Sequence, residues 1–126
     1  MKKFLSIIPA FFVLIILSLP AAAANINTFD SPLPEGVSME KFTEVVTLAA
    51  RRKEWIAKKT GNTTIEAEID VRGKHKVVVT ITYLKTRYTI TYKDSVNMKY
   101  NKGKNQIHSK YNYWVNNLNE EIKKNL

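Results

Sequence analysis

The stretch Thr64-Ile65-Glu66-Ala67-Glu68-Ile69-Asp70-Val71-Arg72-Gly73-Lys74-His75-Lys76-Val77-Val78-Val79-Thr80-Ile81-Thr82-Tyr83 decides the fold. Ile65, Ala67, Ile69 and Val71 alternate with Thr64, Glu66, Glu68 and Asp70, the period of a strand with one buried face and one wet face. Arg72-Gly73-Lys74 is a three-residue connection in which glycine can take a left-handed conformation. Beyond it His75, Val77, Val79, Ile81 and Tyr83 fall on one face. Folding the segment about the loop sets Ile69 opposite Val77, Ala67 opposite Val79 and Asp70 opposite Lys76. A slip of one residue would put carboxylates against valines, so a single register is specified.

Reading toward the C-terminus, 84–87 form the next turn, and Tyr88, Ile90 and Tyr92 alternate with Thr89, Thr91 and Lys93. Asp94-Ser95 reads as a turn, with Val96, Met98 and Tyr100 as a shorter fourth strand. A polar break at 101–105 precedes a helix expected over 106–124, whose apolar stripe is Ile107, Tyr111, Trp114, Val115, Leu118 and Ile122. Toward the N-terminus, Gly61 closes a helix expected over 39–59, capped by Ser38 and carrying Glu40 and Glu44 near its positive end. Phe42, Val45, Val46, Ala49 and Ile56 make its stripe with Trp55 beside it, and Arg51, Arg52, Lys53, Lys58 and Lys59 gather at the far end. Residues 25–37, with Pro32, Pro34 and Gly36, read as an extended or mobile lead-in. The expected fold is α+β in two layers: helix, four-stranded antiparallel meander, helix, with both helices on one face of the sheet. It forms a single domain over 38–126.

The first 24 residues have the pattern of a cleavable export signal: Lys2 and Lys3, an apolar run from Phe4 to Leu19, the helix breaker Pro20, and four alanines. Ala22 and Ala24 suit a cut before Asn25, and a cut one residue earlier suits equally. The apolar run falls short of the roughly 20 residues that span a bilayer comfortably. The chain contains no cysteine, so neither disulfides nor a lipid-bearing cysteine is available. The expectation is a soluble periplasmic domain with no membrane anchor after cleavage.

The formal charge of the whole chain is +9, to which Lys2 and Lys3 contribute. A basic domain favours anionic partners. Export sets nucleic acid aside and shifts the weight toward anionic lipid, lipopolysaccharide or cell-wall polymer.

Catalytic constellations are scarce. His75 and His108 are the only histidines, fewer than the three or four ligands a zinc site takes, so no metal or other cofactor is expected. No serine sits in a glycine-flanked elbow. Glu66, Glu68 and Asp70 alternate on the wet face with no apolar pocket to raise a pKa. The expected protein is therefore not an enzyme. Six tyrosines, at 83, 88, 92, 100, 111 and 113, suit the rim of a two-layer core. They also allow a second reading, a lipid or sugar carrier with a tyrosine-lined groove between helices and sheet.

The succession Trp55, Ile65-x-Ala67, Arg72-Gly73-Lys74-His75, Tyr88-x-Ile90-x-Tyr92-x-Asp94-Ser95-x-Asn97 and Ile107-His108-x-x-Tyr111-Asn112-x-Trp114-Val115-x-x-Leu118 resembles a group of small envelope proteins of proteobacteria. The resemblance covers about 42–122, and its final Ile-His-x-x-Tyr-Asn-x-Trp-Val run is the most specific part. Many members of the group are lipoproteins, from which this chain departs by lacking the cysteine. The resemblance implies an envelope location and brings no catalytic residues. It draws attention to the polar 72–75 loop and to His108, Asn112 and Asn116, which recur at four-residue spacing as one stripe of the expected last helix. Arg72, Lys74, His75, His108, Asn112 and Asn116 are the candidate binding surface, for an envelope protein or an anionic envelope component.

Overall fold

The computed structural model describes residues 23–126, and residues 1–22, most of the expected export signal, lie outside the described residues. The fold is α+β, and the described residues form two helices, a five-stranded antiparallel sheet and a two-stranded sheet. In chain order the elements are β1 (Ala23–Asn25), β2 (Phe29–Pro32), α1 (Met39–Arg52), β3 (Trp55–Lys59), β4 (Thr64–Val71), β5 (His75–Tyr83), β6 (Arg87–Val96), β7 (Gln106–His108) and α2 (Lys110–Lys124). The large sheet runs β2-β6-β5-β4-β3, and β1 pairs with β7.

The β4–β5 hairpin has the register its side-chain pattern dictates: Ile69 faces Val77, Ala67 faces Val79, and Asp70 faces Lys76. Its loop turns through two left-handed residues, Arg72 at φ 61° and Gly73 at φ 63°. A side chain at Gly73 would meet nothing, so the backbone angle alone favours glycine there.

The helix expected over 39–59 stops at Arg52 and the chain turns back as β3. Glu54 adopts φ 68°, which a right-handed helix cannot contain. Trp55 then pairs with Ile69 and Ala57 with Ala67, extending the apolar face of β4 by one strand. Trp55 is 2% exposed whereas Ile56, assigned to the helical stripe, is 79% exposed on the opposite side. Burying the indole against the sheet outweighs continuation of a helix that would leave the edge of β4 uncovered.

The fourth strand expected at Val96–Tyr100 is absent. β6 instead continues through Asp94 and Ser95, because a bulge shifts the register between Val79↔Tyr92 and Val78↔Asp94 and accommodates the extra residue. Asn97 and Lys99, at φ 58° and 54°, end the strand. The last helix starts at Lys110 rather than 106, since Gln106–His108 pairs with β1.

The lead-in over 25–37 is built into the structure. Phe29 to Pro32 add a strand beside β6, with Phe29 opposite Ile90 and Ser31 opposite Tyr88. Arg87 Nε donates to Asp30 Oδ1 at 2.7 Å across this edge, and the Leu33 amide donates to the Thr86 carbonyl at 2.9 Å. Pro32 sits at the strand's end, where its missing N–H costs no ladder bond.

One apolar core joins Phe42, Val45, Val46 and Ala49 of α1 to Tyr111, Val115, Leu118 and Ile122 of α2 and to Ile65, Val77, Val79, Ile81, Tyr88 and Ile90 of the sheet. The Ser38 hydroxyl caps α1 by accepting from the Lys41 amide at 3.1 Å. Arg52 of α1 reaches Glu121 of α2 at 3.4 Å, linking the helices at one end.

Candidate functional site

A cleft of about 340 Å³ opens where the β4–β5 hairpin tip, the loop after β6, the end of β7 and the start of α2 converge. Val71, Arg72 and His75 line it from the hairpin, Met98 from the loop, His108 from β7, and Lys110 and Trp114 from α2. Met98 is buried and Trp114 half-buried, so an apolar floor lies beneath a rim of cationic and imidazole groups. Among the described residues the lining contains no carboxylate.

The hairpin reaches the loop through Asn97. Its left-handed backbone turns the carbonyl oxygen to within 2.9 Å of His75 Nδ1, and its Nδ2 donates to the Lys74 carbonyl at 3.4 Å. A carbonyl can only accept, so this hydrogen bond places a proton on His75 Nδ1 and leaves Nε2 as the ring's remaining nitrogen. His108 is arranged in the opposite sense. Ser109, the residue at the helix start, makes no side-chain cap. His108 Nδ1 fills that role by accepting from the Lys110 amide at 3.0 Å, so its ring proton resides on Nε2. The two ring centroids are 6.5 Å apart. Burial, followed by electrostatic repulsion from the His75 side and from the Lys99 and Lys110 ammonium groups, holds His108 below the usual imidazole range.

The tautomers bear on metal binding. With Nδ1 bonded to a backbone amide, neutral His108 carries its proton on Nε2 and has no free lone pair for a metal. Among the described residues no three His, Cys, Asp or Glu side chains gather as a metal group.

Of the residues singled out by sequence, Arg72, His75 and His108 meet in the cleft. Lys74 is exposed on the same hairpin loop without lining it. Asn116 is exposed on α2 away from the cleft lining. His108 precedes the helix, so the stripe drawn through it, Asn112 and Asn116 does not exist as a helical face.

Asn112 holds the N-terminal segment. Its Nδ2 donates to the Asn25 carbonyl at 2.8 Å, and its Oδ1 accepts from the Asn27 amide at 3.0 Å. An amide side chain here supplies the two bonds that a neighbouring strand would supply. Asn112→Ala is expected to speed hydrogen exchange at the Asn27 amide and to cost about 1–2 kcal/mol, the worth of two such bonds. Unchanged exchange at Asn27 would show that the segment is held by β1 alone.

Lys110, Trp114 and Met98 join the cleft beyond the residues the sequence points to. Lys110 and Trp114 stand four apart on one helix, a spacing visible in the sequence, whereas Met98 lies in the expected fourth strand, which does not form. The Lys110 ammonium rests 5.4 Å from the centre of the Tyr113 ring, which gives that exposed tyrosine a partner. The tyrosines at 83, 88, 92, 100 and 111 pack against other rings. Phe42 lies 5.7 Å from Tyr83 and 5.1 Å from Tyr88, and Tyr92 stacks on Tyr100 at 4.3 Å with its edge toward Tyr111.

The chain matches no protein-family model, no curated protein and no solved structure.

Among the described residues no helix is long and apolar enough to cross a membrane.

Proposed function

We propose that the protein is an exported, non-enzymatic binding domain of the cell envelope that holds an anionic envelope component in the cleft between His75 and His108. The observation that carries this reading is the convergence of Arg72, Lys110 and two imidazoles over an apolar floor without any carboxylate. Such a lining attracts an anion and offers it mainly donors, while Val71, Met98 and Trp114 offer contact to an attached apolar group. The strongly basic composition and the export pattern of 1–24 support the same reading. The ligand class that fits is a small amphiphile with one anionic head, and the location that fits is the periplasm.

The test is calorimetric titration of the purified protein with octyl sulfate, an anionic amphiphile, and with octyl glucoside, its uncharged counterpart. Octyl sulfate is expected to bind and octyl glucoside to bind at least tenfold more weakly. Arg72→Ala with Lys110→Ala should weaken octyl sulfate binding by about tenfold or more, since each charge-assisted bond contributes about 1.5–3 kcal/mol. Equal binding of the two amphiphiles, or an unaffected double variant, would overturn the assignment.

A further inference from the structure

The two imidazoles of the cleft are fixed in different tautomers by different backbone partners, and that asymmetry has a chemical consequence. We propose that anion binding in the cleft is proton-coupled, with His75 taking up a proton at Nε2 as the anion enters and His108 remaining a neutral Nε2–H donor. The inference rests on the anion-binding reading of the cleft and adds to it a division of labour between the two rings.

His75 can gain a proton without losing anything. Its Nδ1–H already points at the Asn97 carbonyl, a bond that the cation strengthens, and Nε2 makes no hydrogen bond within the described residues. His108 cannot do the same. A proton on its Nδ1 would expel the Lys110 amide from its acceptor and leave the first turn of α2 uncapped. The groups around His108 also oppose a second charge: His75 from β5, Arg72 from the hairpin loop, Lys99 from the loop after β6, and Lys110 from α2. Those around His75 are the Asn97 carbonyl, Arg72 and His108, and no carboxylate from any of these elements lines the cleft to hold a proton there beforehand.

The lining of the empty cleft offers His75 no counter-ion. An anion reverses this balance. It accepts from Arg72, from His108 Nε2–H and from a protonated His75 Nε2, so binding and protonation favour each other by the same factor. The cleft would therefore hold its ligand more tightly in acid and release it as the surroundings become neutral.

The experiment is octyl sulfate binding to the purified protein at about pH 6 and about pH 8, a probe whose own charge does not change in the imidazole titration range. One coupled proton predicts affinity roughly tenfold higher at the lower pH. His75→Asn, which keeps a donor for the Asn97 carbonyl, should bind at both pH values with less than about twofold difference. His108→Asn, which keeps an acceptor for the Lys110 amide, should weaken binding at both pH values and retain the full pH dependence. In nuclear magnetic resonance titrations the His75 ring signal should shift its midpoint to higher pH when the probe is added. Absence of octyl sulfate binding to the parent protein at either pH overturns the cleft assignment, and the coupling with it. Binding that is equal at both pH values leaves the cleft assignment standing and overturns the coupling. Loss of the pH dependence in His108→Asn, with retention in His75→Asn, overturns the assignment of the proton to His75. Unchanged circular dichroism spectra in both variants exclude misfolding as the cause.

Discussion

Phe42→Ala is expected to lower the unfolding free energy by about 4 kcal/mol, within the roughly 3–5 kcal/mol that truncation of a buried phenylalanine costs. The side chain is fully buried and is the only aromatic residue of α1. Its ring lies tilted at 41° to Tyr83 and at 46° to Tyr88, so truncation removes two aromatic contacts as well as leaving a void. The void cannot be closed by small movements. Tyr83 is tied by its hydroxyl to the Val37 carbonyl at 2.6 Å, and Tyr88 to Asn119 at the same distance. Domains of this size are stable by about 5–15 kcal/mol, so the variant should lose a large share of its stability while remaining folded at 25 °C. Urea unfolding followed by circular dichroism measures the loss. A cost below about 1 kcal/mol would mean that α1 is not seated on the sheet through this ring.

Asn119→Leu is expected to cost about 2–3 kcal/mol, through a buried polar network that no apolar pattern reveals. The Tyr88 hydroxyl, near the start of β6, donates to Asn119 Oδ1 of α2 at 2.6 Å, and Asn119 Nδ2 donates to Ser31 Oγ of β2 at 3.4 Å. One amide thus ties the second helix to an interior strand and to an edge strand. Burial pushes the Tyr88 phenol up to about 12, against a smaller downward pull from Ser31 and a smaller upward push from Glu120. It therefore stays a donor through the ordinary pH range. Removing the amide leaves a buried hydroxyl without an acceptor, which costs more than the bond itself contributes. Adding Tyr88→Phe to Asn119→Leu should therefore recover about 1 kcal/mol, giving a double-mutant coupling of about 1–2 kcal/mol. Additivity of the two substitutions would disprove the interaction. The raised phenol also gives a pH signature. Its contribution to stability is intact below about pH 10, where the unfolded tyrosine is neutral, and is lost as pH climbs through about 12. Tyr88→Phe should flatten that part of the profile.

The local parts of this fold were written plainly in the sequence. The β4–β5 register follows from the alternation of isoleucine and valine with threonine and carboxylate, and the start of α1 follows from Ser38. What could not be read depends on partners far along the chain. Trp55 becomes a strand residue because Ile69 receives it, while a window around 55 alone shows a helix-compatible mixture. Gln106–His108 is a strand because Ala23–Asn25 lies beside it, and a helical stripe beginning at Ile107 looks equally good without that knowledge. The candidate site divides in the same way. Arg72 and His75 belong to one hairpin and are close by local geometry. His108 joins them only through the fold, and the role of Asn112 is invisible in a local window because its two bonds are made to backbone at Asn25 and Asn27.

The order of assembly follows from the placement of β2. Residues 29–32 pair with 87–90, so this N-terminal strand finds its position only after β6 has been synthesised. The central hairpins can close early, since their contacts are local and their loops short. Until the N-terminal strand docks, β6 presents a row of unpaired amides and carbonyls, the kind of surface on which chains associate with one another. The N-terminal segment therefore acts as the seal of the folding reaction, protecting the sheet from self-association only once β6 has been laid down.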